Sequence, residues 1–80
     1  MNENEQNVIN LFNKMTTQFM YKHDTAKALT LAWNYVKHWL ECECEIERIG
    51  FWEWPVLYDL LQKQYETKFE EAFGVVGGAK

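Results

Sequence analysis

Eighty residues with a formal charge of −4 allow one small acidic domain and exclude a second core. The eight lysine and arginine side chains are scattered, so no basic stripe is present to neutralise nucleic-acid phosphates or an anionic membrane, whereas a basic protein surface would be attracted. The first twenty residues lack the basic start and apolar stretch of a secretory signal, and no apolar run approaches the roughly 20 residues of a membrane span, so we expect a soluble cytoplasmic protein.

The first predicted helix begins after Asn2 and continues to about Tyr21. Asn2 can cap the first turn while Glu5, three residues further on, reaches back to it in a capping box. Apolar residues then recur at steps of three and four, which places them on one face of a helix. These residues are Val8, Leu11, Phe12, Met15 and Phe19.

Asp24 is a strong N-cap and predicts the start of a second helix. We expect this helix to continue to about Ile49, with Gly50 as its stop signal. Its apolar residues form two adjacent stripes, which is typical of a central helix that packs on two sides. The stripe predicted to face inward is Ala28, Ala32, Tyr35, Trp39, Cys42, Ile46 and Ile49, and the adjacent stripe is Leu29, Trp33, Val36 and Leu40.

The end of this second helix has an alternative interpretation. Residues 41–47 alternate strictly between glutamate and cysteine or isoleucine, which is the period of a β-strand. A short hairpin within residues 42–54, turning at Gly50, would satisfy that pattern. Glutamate favours helices and is depleted in strands, so the helix is the preferred interpretation.

Pro55 predicts the first turn of a third helix, and Gly74 predicts its end. Together the three segments predict an all-α fold, a small three-helix bundle formed by residues 1–74, with residues 75–80 as a flexible tail. The apolar face of the third helix is Leu57, Leu60, Leu61, Tyr65, Phe69, Ala72 and Phe73.

His38, Cys42 and Cys44 carry the ligand types that zinc prefers, and His23 is available at the preceding corner. His38 and Cys42 share a helical face, but Cys44 follows Cys42 by two residues and lies about 200° round the helix. One ion could bind all three only if the helix had ended. The two cysteines are also too close in sequence for a relaxed disulfide, so we expect reduced thiols, with Cys42 packed in the core, and no metal or cofactor.

The sequence contains no pattern that indicates an enzyme. It has no glycine-rich phosphate loop before a helix and no nucleophile elbow. General acid–base catalysis needs two carboxylates in different, partly desolvated environments, and nothing in the sequence desolvates the glutamates of residues 41–47. We therefore expect no catalytic activity.

Two features favour a partner-binding role. Five glutamates within residues 41–53 create a negative potential that suits a basic partner. Three large aromatic residues crowd the connection before the third helix, where small polar residues are usual, and such residues either close the core or anchor an interface. The predicted partner-binding residues are Phe51, Trp52, Trp54, Trp33, Glu41 and Glu45.

The leading hypothesis is a small regulatory protein that binds another protein and self-associates as a homodimer. The second helix carries more apolar surface than a three-helix bundle can cover, so we expect a two-fold interface. Its residues would come from Phe51, Trp52 and Trp54 and from the exposed side of the stripe that contains Leu29, Trp33, Val36 and Leu40. The alternatives are an inhibitor that mimics nucleic acid and binds a basic host protein, and a small zinc-binding helical module.

Overall fold

The computed structural model describes residues 2–74, which form three α-helices, α1 (Glu3–Phe19), α2 (Thr25–Glu45) and α3 (Trp54–Phe73). This part of the chain is 79% helical, and each helix packs against the other two. The predicted three-helix bundle is confirmed. The described residues contain no strand, so the alternative of a hairpin within residues 42–54 is wrong. The predicted tail, residues 75–80, lies outside the described residues.

The predicted helix starts are present and have the expected caps. Asn2 Oδ1 accepts the Glu5 backbone N–H at 2.8 Å, and Glu5 Oε1 accepts the Asn2 backbone N–H at 2.9 Å, which completes the capping box of α1. Asp24 Oδ1 accepts the Lys27 backbone N–H at 2.8 Å and caps α2. Pro55 lies in the first turn of α3, where its missing N–H costs no helical hydrogen bond.

Two of the helices end close to where the sequence predicts. α1 ends at Phe19, two residues before the expected end near Tyr21, and the His23 N–H then closes a turn by donating to the Phe19 carbonyl. α3 ends at Phe73, and Gly74 follows with φ +84°. A positive φ is accessible to glycine at little cost, so Gly74 ends α3 as predicted.

α2 ends at Glu45, four residues before the predicted end at Ile49. Ile46 is the C-cap, and Glu47 follows with φ +63°, in the left-handed region that glycine usually occupies after a helix. Gly50, the predicted stop signal, lies beyond this turn. The prediction was wrong because a glutamate, which carries no local signal for this conformation, ends the helix.

The hydrogen bonds after α2 explain how the chain stops there. The Arg48 N–H donates to the Glu43 carbonyl at 2.9 Å, and the Glu47 N–H donates to the Cys44 carbonyl at 3.1 Å. This pair of bonds is the Schellman motif, which satisfies carbonyls at the end of the helix that would otherwise lack donors. An ion pair between the Arg48 and Glu43 side chains, at 3.8 Å, spans the same turn.

The core includes residues of both apolar stripes of α2, because Ala28 and Ala32 of the stripe predicted to face inward are fully buried together with most of the adjacent stripe. Leu29, Val36 and Leu40 are at most 2% exposed, whereas Tyr35 and Ile46, predicted to face inward, are 48% and 56% exposed. The two stripes are neighbours on the helix, and the positions of α1 and α3 decide which residues of each stripe are covered. The buried apolar residues are Val8, Phe12, Ala28, Leu29, Ala32, Val36, Leu40, Ile49, Leu57 and Leu61.

Candidate protein-interaction site

The N-termini of α1 and α3 meet the C-terminus of α2 at one end of the bundle. We name this the acidic end and define it as residues 2–8 and 41–57. The side-chain amide of Asn4 in α1 donates to both carboxylate oxygens of Glu53, at 3.3 and 3.4 Å, and so connects α1 to the segment before α3. Cys44 of α2 and Trp54 of α3 line a common hollow. The three chain segments therefore form one continuous surface.

Two large aromatic side chains project from this surface. Phe51 and Trp52, hereafter the aromatic pair, are 77% and 71% exposed, and their rings meet edge to face with centroids 5.6 Å apart. Trp52 also lies over Gly50, where no side chain obstructs the indole. Ile46 and Val56 are more than half exposed, and Val56 lines a hollow together with Trp52.

The other two predicted aromatic site residues make most of their contacts within the bundle. Trp54 is partly buried and stacks on Tyr58 with ring centroids 4.9 Å apart. Trp33 is partly buried beside Tyr65, at 5.7 Å between centroids, and the Lys37 ammonium lies 4.6 Å above its ring. The Trp33 indole N–H is buried and has no acceptor among the described residues. Trp33 thus helps to join α2 to α3, whereas the Trp54 ring contacts a residue of its own helix.

Three hollows adjoin the aromatic pair, and glutamates line each of them. The largest, of about 420 Å³, lies between the end of α2 and Phe51, and a second, of about 370 Å³, lies between the aromatic pair and the turn after α2. The third, of about 180 Å³, lies between Trp52 and the start of α1. The glutamates are Glu41 and Glu45 in the first hollow, Glu47 in the second, and Glu5 and Glu53 in the third.

The first hollow brings together four of the six predicted partner-binding residues, and Trp52 adjoins it through Phe51. Trp33 instead lies at the contact between α2 and α3. Sequence reasoning missed Ile46 and Val56, because Ile46 was assigned to the core stripe and Val56 follows the helix-starting proline. The signal that could have identified them is their proximity in sequence to the aromatic pair. The predicted partner-binding residues that line this hollow are Phe51, Trp54, Glu41 and Glu45.

The prediction that the second apolar stripe of α2 contributes to a dimer interface is wrong. The stripe containing Leu29, Val36 and Leu40 has no exposed side, because α1 and α3 cover these residues almost completely. Half of the exposed large apolar side chains among the described residues lie at the acidic end, namely Ile46, Phe51, Trp52 and Val56, and the others are Met20, Tyr21, Tyr35 and Phe73.

The candidate metal ligands are separated by the fold. The Cys42 thiol lies 3.6 Å from Nε2 of His38, one turn away on α2, whereas Cys44 faces the hollow beside Phe51. His23 lies at the opposite end of α2. Residues 2–74 contain no group of three or more histidine, cysteine, aspartate or glutamate side chains that could hold one ion. Both cysteines are free thiols.

We found no match for this chain among protein families, curated proteins or solved structures. None of the helices described in residues 2–74 combines the length and apolarity that crossing a bilayer requires. The acidic end offers exposed aromatic rings, aliphatic side chains and carboxylates. Aromatic rings pack on apolar side chains and attract cations.

Proposed function

We propose that this protein binds another protein through the acidic end, with the aromatic pair as the anchor of the interface. The observation that supports this most directly is the exposure of two adjacent large aromatic rings, Phe51 at 77% and Trp52 at 71%. Leaving such rings in water forgoes the free energy of burying them, and tryptophan is enriched among the residues that contribute most to binding. Ile46 and Val56 would form the apolar surroundings of that anchor.

The interface would bury a small area, and the protein would act as a small regulatory protein. An end of an 80-residue bundle offers one compact patch, which suits a short segment or a small surface of a partner. The reducing cytoplasm is the compartment we propose, because it would keep the free thiols of Cys42 and Cys44 reduced.

Two other occupants of this surface are compatible with a binding role. Self-association as a homodimer stays a prediction, now limited to the acidic end because the α2 stripe is buried. An inhibitor that mimics nucleic acid is the second candidate, and the concentration of glutamates around the aromatic pair is the observation that favours it. Displacement of the protein from its partner by added DNA would distinguish this inhibitor from other binding proteins.

Affinity capture with matched variants tests the proposal. The untagged chain would be coupled to a resin and compared with the Trp52→Ala variant and with Tyr21→Ala, which removes an 83% exposed aromatic residue at the other end of the bundle. We expect the parent chain and the Tyr21→Ala variant to capture a protein that the Trp52→Ala variant does not capture. Identical captured proteins for all three chains would contradict the proposal.

A further inference from the structure

We infer that the partner presents a cationic segment, in which lysine or arginine side chains flank an apolar residue that packs on the aromatic pair. This inference rests on the proposed function and specifies the chemistry of the partner. It follows from the charge of the acidic end, where Arg48 is the single basic residue, and from the position of the carboxylates around the aromatic rings.

The acidic end carries more negative charge than the whole chain. Residues 2–8 and 41–57 contain seven glutamates and a single basic residue, Arg48, a formal charge of −6, whereas the full sequence carries −4. The other described residues contain six lysines and five carboxylates and sum to +1. The field of the molecule is therefore negative at the aromatic pair and close to neutral elsewhere.

These glutamates are mostly unneutralised by the chain itself. Within residues 2–74, only Glu43 of the seven forms an ion pair, with Arg48 at 3.8 Å. Glu53 accepts a hydrogen bond from the Asn4 amide, and Glu5 accepts one from the backbone N–H of Asn2, so the donors that contact these two carboxylates are uncharged. The remaining carboxylates beside the aromatic pair are open to cations of a partner.

The charges at the end of α2 oppose the stability of the helix. The partial negative charge at a helix C-terminus favours lysine or arginine in the last turn, and α2 has none there. It has glutamates instead, and Glu41 and Glu45 are four residues apart, a spacing at which like charges repel. Local rules of this kind are usually broken where function requires it, and a cationic partner would relieve this repulsion.

A second copy of the chain fits this surface poorly. A two-fold interface through the aromatic pair would bring one −6 end against another, with glutamates on both sides of the contact. Like charges placed opposite each other at an interface weaken association and exclude such partners. The same charge repels nucleic-acid phosphates and anionic lipids. A cationic protein segment is the occupant that both the apolar and the charged parts of the surface accommodate.

The aromatic pair can also contact the cations directly. Lysine and arginine bind over the faces of tryptophan and phenylalanine rings, and both rings of the pair are mostly exposed. The chain already contains one such contact, between the Lys37 ammonium and the Trp33 ring. A flanking lysine or arginine therefore has two binding modes, on an aromatic face or on a neighbouring carboxylate.

Selection from a display library of short random peptides tests the inference without assuming the partner. The full chain is the target, and each enriched peptide is measured against Trp52→Ala and against the double variants Glu45→Gln/Glu47→Gln and Glu70→Gln/Glu71→Gln. The two double variants remove equal charge, one at the acidic end and one at the other end of the bundle. Far-UV circular dichroism of each variant checks that it is folded.

We expect enriched peptides that contain lysine or arginine around an apolar residue. Their affinity should fall about tenfold or more with Trp52→Ala, as expected for the loss of an anchor residue. It should fall roughly fivefold with Glu45→Gln/Glu47→Gln and stay unchanged with Glu70→Gln/Glu71→Gln, because exposed ion pairs contribute modestly.

The outcomes separate the inference from the function on which it rests. If the enriched peptides lose affinity with Trp52→Ala but are neutral or acidic, the inference of a cationic partner is wrong and the proposed binding function still stands. Sedimentation that shows a dimer of the parent chain, lost with Trp52→Ala, would likewise assign the surface to a second copy. If no enriched peptide loses affinity with Trp52→Ala, both the inference and the proposed function are wrong.

Discussion

The indole ring of Trp52 lies so close to Gly50 that a β-carbon at residue 50 would fall 2.6–2.7 Å from three of its ring atoms. Non-bonded carbon atoms are most stable at about 3.5–4.0 Å, so a side chain at residue 50 would force the ring away. The absence of a side chain at Gly50 therefore permits the position that the Trp52 ring occupies. The sequence suggested a different role for this glycine, as the stop signal of α2.

Gly50→Ala should move the Trp52 ring without unfolding the bundle, because that ring is largely exposed and free to turn. We expect the Trp52 indole resonance to shift in a two-dimensional NMR spectrum while those of Trp33 and Trp39 stay in place. In a Trp52→Ala background the clash is absent, and Gly50→Ala should then be neutral or stabilise the fold by about 0.5 kcal/mol. A Trp52 resonance unchanged by Gly50→Ala would contradict the described packing.

Glu47→Gly should stabilise the protein by about 1 kcal/mol in urea unfolding. Glu47 has φ +63°, a conformation that costs a residue with a side chain roughly 1–2 kcal/mol and glycine very little, although the added flexibility of the unfolded chain offsets part of the gain. Glu45→Gly is the matched control. It removes the same charge from a helical residue and should destabilise the fold by about 1 kcal/mol. Loss of stability in both variants would argue against the turn after α2.

Glu45→Lys should increase the stability of the fold and weaken the binding of cationic peptides. A lysine in the last turn of α2 complements the helix dipole and removes the repulsion from Glu41, so we expect a gain of about 0.3–1 kcal/mol that decreases with salt. Affinity for the selected cationic peptides should fall. Glu70→Lys in the last turn of α3, four residues after Glu66, makes the same change at the other end. It should stabilise comparably and leave peptide binding unchanged; equal losses of binding would show that only net charge matters.

Phe12→Ala and Phe51→Ala should differ sharply in their effect on the free energy of unfolding. Phe12 is inaccessible to solvent in the core, so its truncation should cost about 3–5 kcal/mol. Phe51 is 77% exposed, and its truncation should change stability by less than about 0.5 kcal/mol. Thermal or urea unfolding of both variants measures the contrast. Similar losses would mean that Phe51 belongs to the core.

The features that depend on neighbouring residues were predictable from the sequence. Asn2 and Asp24 cap helices through hydrogen bonds to residues only three positions away, and Gly74 ends α3 by its own backbone freedom. The end of α2 was not predictable, because Glu47 has no intrinsic preference for the conformation it adopts. The orientation of α2 depends on how α1 and α3 pack, which two adjacent apolar stripes leave undetermined.

The candidate site was predictable to a similar extent. Crowded aromatic residues and glutamates identified Phe51, Trp52, Glu41 and Glu45, because unusual composition is a property of the sequence itself. The exposure of each ring was not predictable. Trp54 begins a helix and stacks on a neighbour, whereas Trp52, two residues earlier, lies on a turn that leaves it in solvent.

The uneven charge of the bundle would also govern how the proposed cationic partner approaches it. With −6 at one end and +1 over the other described residues, the molecule has an electric dipole along its length, which turns an approaching cation toward the aromatic pair before contact. This steering acts over about 8 Å at physiological ionic strength. Salt should therefore slow association strongly, while the lifetime of the complex, set by contacts with the aromatic rings, should change little.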